Sequence, residues 1–221
     1  MPRSGRAEEA IKRILNSYER RRRPIRGDPF SSLVRIVLSQ NTNYRNEIMA
    51  YERLERTIGV TPETVSKASV EQIAEAIRPA GMHNQRSRTL KKLSEVVLNR
   101  YDGDISPILH WGYPEARREL MELPGVGKKT ADVLLLFDGG KAIIPVDRHI
   151  FRISRRLQLV PFKADYDEVR RVLEAATEPG RREDAHVLLI RFGREICKAR
   201  RPRCAECFLN DICPYPEGGK D

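Results

Sequence analysis

Apolar residues recur along this chain at intervals of three and four, the spacing that lines one face of an α-helix. Ile11, Ile14, Leu15 and Tyr18 form one such stripe, Leu90, Leu93 and Val97 a second, and Tyr166, Val169, Val172, Leu173 and Ala176 a third. Polar residues fill the intervening positions, so each helix is expected to bury one side. Breaks fall where Gly, Pro, Asn and Asp gather, at RRRPIRGDPF, GVTPE, RPAGMHN, YDGDISP, DGGKAIIPVD and LVPFKAD. They divide the chain into roughly ten helices joined by short loops. The stretch with most strand character, KAIIPVD, is short and interrupted by Pro145, which cannot donate to a central ladder. The pattern predicts an all-α fold without internal repeats or low-complexity linkers.

The segment LPGVGKKTADVLLLF, residues 123–137, departs from this simple amphipathicity. Two glycines and two lysines stand directly before an unbroken apolar run. Gly125 and Gly127 are expected to let the backbone turn at positive φ and to let another molecule approach closely. The N–H groups opening the following helix, its dipole and Lys128 all favour an anion. A nucleotide-binding P-loop would need glycine five residues before its Gly-Lys pair and Ser or Thr directly after it. Glu122 and Lys129 occupy those places, and the preceding PEARRELMEL reads as helix. What remains is helix, Gly-rich hairpin, helix: a phosphate-backbone site for nucleic acid, or an ordinary helix–helix turn.

Charge narrows the partner. Lys and Arg number 41 against 31 Asp and Glu, a formal net charge of +10, which favours polyanions and nucleic acid first among them. No apolar run approaches the ~20 residues of a membrane-spanning helix. The N-terminal MPRSGRAEEA lacks the apolar core of a secretory signal, so a reducing, cytoplasmic, nucleoid-associated location is expected. The basic run from Arg20 to Arg23 reads as a solvated helix end and takes no site.

All four cysteines, Cys197, Cys204, Cys207 and Cys213, lie near the C-terminus in the spacing C-x6-C-x2-C-x5-C. Thiolates are soft ligands and loops this short close at little entropic cost, so the four can wrap one metal centre. Zinc prefers two tight Cys-x-x-Cys knuckles, and here Cys204 and Cys207 form a single one. The asymmetric spacing favours a [4Fe–4S] cluster, with zinc, disulfides or free thiols as alternatives. The first inter-cysteine loop, KARRPR, carries Lys198, Arg200, Arg201 and Arg203. Pinned at both ends, it can track phosphates with little ordering cost, or simply offset the charge of the thiolates.

The Gly-rich hairpin, then PVDRHIFRI, then the cysteine tail, in that order, resemble the endonuclease III family of helix-hairpin-helix DNA glycosylases over residues 28–213. The resemblance implies a two-lobed fold. One lobe is a central six-helix, barrel-like domain over residues 28–134 with most of the hairpin motif; the other is a helical iron–sulfur domain from residues 1–27 plus 135–221. It also implies DNA lying across the groove between them, Lys129 as catalytic lysine and Asp147 as catalytic aspartate. Chain geometry permits that pairing, since a helix from Gly127 to Phe137 is about 16 Å long and residues 138–146 reach ~30 Å when extended. In a first helical turn beside Lys128, the cationic form of Lys129 is expected to be disfavoured. Asp147, directly ahead of RHIFRI, is expected to cap that helix and stay ionised.

By the same resemblance, Gln40 of VLSQNTN and Met82 of AGMHNQ fill the gap left by a flipped nucleotide. Gln40 would face the orphaned base and Met82 would enter the stack, with His83 and Asn84 beside it. Gly125, Gly127, Lys128 and the KARRPR cations complete the expected DNA-binding set, and the four cysteines hold the cluster. The implied activity is that of a monomeric, bifunctional glycosylase and AP lyase removing oxidised pyrimidines from duplex DNA. Where the family commonly has an acidic residue just beyond the Gln motif, this chain has Asn43, Tyr44 and Arg45, which bears on base preference. The rival expectations are a thymine- or uracil-mismatch glycosylase, which generally lacks an amine at the position of Lys129, and a non-catalytic DNA-binding module.

Overall fold

The computed structural model describes residues 3–19 and 27–215; the basic run from Arg20 to Arg23 lies outside them. Among the described residues there are twelve α-helices and no strand. In chain order they are α1 (Arg3–Asn16), α2 (Pro29–Ser39), α3 (Tyr44–Thr57), α4 (Pro62–Lys67), α5 (Val70–Ala76), α6 (His83–Tyr101), α7 (Ser106–His110), α8 (Tyr113–Met121), α9 (Lys128–Phe137), α10 (Arg148–Arg156), α11 (Tyr166–Ala175) and α12 (Arg182–Glu195). The number exceeds ten because helices as short as α4 and α7 span too few turns to print a periodicity. None of the twelve is long and apolar enough to cross a membrane. The chain forms two compact units, one drawn from Met1–Pro24 with Ala142–Asp221, the other from Ile25–Lys141.

In the Ile25–Lys141 unit the first four helices, α2 to α5, start at polar side chains that take up orphaned backbone N–H groups. Asp28 caps α2 ahead of Pro29, Asn43 caps α3, and Thr61 and Ser69 form capping boxes at α4 and α5. Helix α6 packs on α2, α4 and α5, and Leu90, Leu93 and Val97 of its predicted stripe are wholly buried. Helix α9 packs against α2 and α8 and buries seven of its ten residues, Thr130 to Leu136.

One of those seven is an aspartate. Asp132, with no exposed side-chain surface, lies 3.0 Å from Nε of Arg117 on α8, and the Tyr113 hydroxyl donates to the same oxygen at 2.9 Å. This pair joins the helices on either side of the Gly-rich hairpin. Removing one member of a buried pair strands the other charge, so Asp132→Ala is expected to cost about 3–5 kcal/mol of stability, read from urea denaturation. A loss below about 1 kcal/mol would show that the pair is dispensable to the hairpin.

In the other unit, α1, α10, α11 and α12 converge on one apolar core. Ile11, Ile14, Ile150, Ile153, Val169, Leu173, Leu189 and Phe192 lie at its centre, while Leu15, Tyr18, Tyr166, Val172 and Ala176 pack on its margin. The predicted stripes of α1 and α11 thus point inward, each with its flanking members half-buried.

Candidate active site and cysteine loop

The hairpin between α8 and α9 needs one of its glycines for conformation. Gly125 has φ +80°, which strains any other residue, and a Cβ there would lie 2.5 Å from Cγ2 of Thr89, which would have to shift. Gly127 corrects the expectation of positive φ: at φ −95° and ψ −179° it is ordinary extended backbone. A Cβ on Gly127 would meet nothing within 4 Å. Its bareness instead leaves the start of α9 open, where no side chain caps the helix and Lys128 is exposed. Lys129 follows in the first turn, half-buried.

Asp147 sits at the end of the segment that looked most like a strand. Ile143, Ile144 and Val146 are buried there, and side chains replace the ladder partners that a sheet would have supplied. The Ile144 N–H donates to Glu174 at 3.0 Å and the Val146 N–H to the Tyr166 hydroxyl at 3.2 Å. The Pro145 carbonyl lies 2.9 Å from Nδ1 of buried His186. So held, the segment delivers Asp147 as N-cap of α10, its Oδ1 accepting from the N–H groups of His149 (2.8 Å) and Ile150 (2.9 Å). Both bonds use one oxygen; among the described residues none is made to Oδ2.

Gln40 and Met82 stand at helix ends in the Ile25–Lys141 unit. Gln40 is the C-cap of α2, and its Nε2 donates to Oγ1 of Thr130 at 3.4 Å, one residue beyond Lys129. Met82 precedes α6 in a left-handed conformation (φ 50°) and is 53% exposed, a posture that costs free energy for a non-glycine residue. His83 is half-buried and Asn84 exposed beside it. Asn43 accepts from the Asn46 N–H at 2.9 Å, a cap that an aspartate would make equally well. The departure from an acidic residue therefore removes a charge and leaves the helix start intact, while Tyr44 next to it is 68% exposed.

The four cysteines form no disulfide and line one cavity together with Leu157, Phe192, Ile196 and Leu209. No three His, Cys, Asp or Glu side chains among the described residues are placed about a single ion. All four cysteines line the same cavity among apolar neighbours, a soft donor set suited to a thiolate-bound metal centre. Burial pushes the Cys207 thiol up to about 11, with Cys197, Cys213 and Cys204 adding to the shift. Four thiolates this close repel one another unless metal ions neutralise them.

Two arginines of α10 hold the start of this loop. Arg152 donates to the carbonyls of Cys197 and Gly193, both at 2.7–3.0 Å, and Arg156 donates to Lys198 (2.7 Å), Ala199 (3.1 Å) and Sγ of Cys197 (3.6 Å). Asp147 caps the same helix. Lys198, Arg200, Arg201 and Arg203 are all exposed, but Arg203 is paired with Glu206, so its charge is partly spent locally. Arg152, Arg156, His186 and Arg86 were not singled out from the sequence, and Tyr166 was read only as part of an apolar stripe. The arginines of α10 carried a usable signal, since residues four apart share a helix face.

Residues 34–179 match the HhH-GPD superfamily of base excision DNA repair proteins, and the chain belongs to that superfamily. Residues 197–213 match the iron–sulfur binding domain of endonuclease III, and the group implied there is a [4Fe–4S] cluster, which four free cysteines lining one cavity fit by their chemistry. The chain is 31% identical to endonuclease III of Thermotoga maritima, over 94% of this chain and 92% of that one. It is 33% identical to endonuclease III of Escherichia coli K12, over 86% and 85%. Among solved structures it is similar to a trapped endonuclease III–DNA covalent intermediate, with a TM-score of 0.84 and 27% identity over 97% of each chain. It is also similar to a thermostable thymine-DNA glycosylase, with a TM-score of 0.80 and 26% identity over 96% of each chain.

Proposed function

We propose that this DNA glycosylase with lyase activity acts as a monomer on duplex DNA, removing oxidised pyrimidines and then nicking the abasic strand by β-elimination, with Lys129 and Asp147 as its catalytic residues. The observation that carries the reading is the division of labour on Asp147. Its Oδ1 is held by two backbone N–H groups, while Oδ2 is left for chemistry.

The bases of a duplex hide their glycosidic bonds, so the damaged nucleotide must first leave the stack. Gln40 faces the orphaned base and Met82 occupies the vacated step. The Asp147 carboxylate stabilises positive charge growing on the sugar as the glycosidic bond breaks. The neutral amine of Lys129 attacks C1′, and the base departs with the electron pair of that bond and acquires a proton. Loss of the remaining amine proton and opening of the sugar ring leave an imine between Nζ and C1′. The imine acidifies C2′; removal of a proton there forms a C2′–C3′ double bond and expels the 3′ phosphate, cutting the strand. Hydrolysis of the imine restores Lys129.

The remaining residues position the substrate. Gly125, Gly127 and Lys128 present the uncapped start of α9 to a backbone phosphate, and Lys198, Arg200 and Arg201 add phosphate contacts, with Arg203 contributing less because of Glu206. Cys197, Cys204, Cys207 and Cys213 hold the cluster, which when bound serves as a staple that fixes the basic loop. A panel of duplexes bearing thymine glycol, 5-hydroxycytosine, uracil opposite guanine, thymine opposite guanine, or an abasic site tests the reading. Cleavage at the first two and at the abasic site is expected. Base release from the mismatches without strand cleavage would transfer the assignment to a mismatch glycosylase.

A further inference from the structure

The loops that carry Gln40 and Met82 converge on one side chain with no part in the chemistry above. Arg86, in the first turns of α6, is 5% exposed. Its Nη1 donates to the carbonyls of Ala80 (2.6 Å) and Gly81 (3.0 Å), and its Nη2 donates to the carbonyl of Gln40. No carboxylate pairs with it among the described residues, and burial pushes its pKa below the ordinary arginine value. A buried cation is tolerated when its donors find partners; here backbone carbonyls from two distant loops accept three hydrogen bonds from it.

Those carbonyls are not arbitrary. The one on Gln40 belongs to the peptide leading into Asn41, and the one on Gly81 to the peptide leading into Met82. Asn41 and Met82 are both non-glycine residues held at positive φ, 52° and 50°. Such conformations persist where neighbours over-determine them, and Arg86 grips the peptide plane before each. The Gln40 side chain is anchored separately, on Thr130, so it can swing away while its backbone stays fixed.

We propose that Arg86 is a positioning residue for DNA insertion, its planar fork holding the Gln40–Asn41 and Gly81–Met82 peptides in one frame so that both side chains enter the same base step together. The proposal rests on the glycosylase reading for its substrate but not for its geometry. Arg86→Lys keeps the charge and loses the fork; Arg86→Met loses both. Single-turnover base release is measured on a duplex with the lesion opposite a normal base, and on the same duplex with a one-nucleotide gap opposite the lesion, where no orphaned base must be held. The latch predicts a loss of about tenfold or more on the intact duplex and less than about twofold on the gapped one. It also predicts that amide hydrogen exchange rises together in residues 40–43 and 81–85 of Arg86→Lys, with residues 128–137 unchanged.

Equal losses on both duplexes, no loss on the intact one, or faster exchange in one loop alone would overturn the proposal. So would failure of both variants to fold, which would mark Arg86 as purely structural. If the wild-type protein released no base from either duplex, the glycosylase reading would fall, and the exchange measurement would still decide whether Arg86 couples the loops.

Discussion

Lys129→Ala is expected to leave duplex binding nearly intact while strand cleavage at a damaged pyrimidine falls by about 10³-fold or more, equivalent to ~4 kcal/mol of barrier. The residue sits half-buried in the first turn of α9, beyond two exposed glycines and an exposed lysine. Its neighbours can bind phosphate without it, so affinity and turnover separate. Lys128→Ala supplies the contrast: loss of a phosphate contact weakens binding and lowers its salt dependence while leaving the chemistry of bound substrate in place. If both variants lost affinity and turnover in the same proportion, Lys129 would be a second phosphate contact and not a nucleophile.

Asp147→Asn separates structure from chemistry at the other residue. Asparagine caps a helix about as well as aspartate, so the bonds from His149 and Ile150 survive and the melting temperature is expected to move by less than about 2 °C. The charge at Oδ2 does not survive, and turnover is expected to fall by about 10²- to 10⁴-fold with substrate binding retained. Thermal denaturation beside single-turnover kinetics reads both quantities from one preparation. A variant with unchanged turnover would make Asp147 only a cap.

Asp147 and Lys129 were read from the sequence on different grounds. Asp147 precedes an amphipathic helix, where an aspartate has a local task, and the structure gives it that task. Lys129 was assigned through the family resemblance and not by a local pattern, and the two glycines before it looked alike but differ: Gly125 stands at φ +80°, Gly127 in extended backbone with open space around it. The stripes in α1, α6 and α11 were readable because a helix buries residues at a fixed period. The residues that aim the site were not. Glu174, Tyr166 and His186 satisfy the backbone ahead of Asp147 from far along the chain, and no local pattern records such partnerships. Arg86 was harder still, since one of two arginines in the basic stretch HNQRSRTLKK reads as a solvated cation and arginines are seldom buried.

The claim on which the rest depends is that the amine of Lys129 becomes covalently joined to the sugar. Borohydride added during turnover reduces that imine to a stable amine, and proteolysis with mass spectrometry locates it. The account predicts a protein–DNA adduct on the peptide containing Lys129, and no adduct with Lys129→Ala. An adduct on another residue, or one that persists undiminished in that variant, would contradict it.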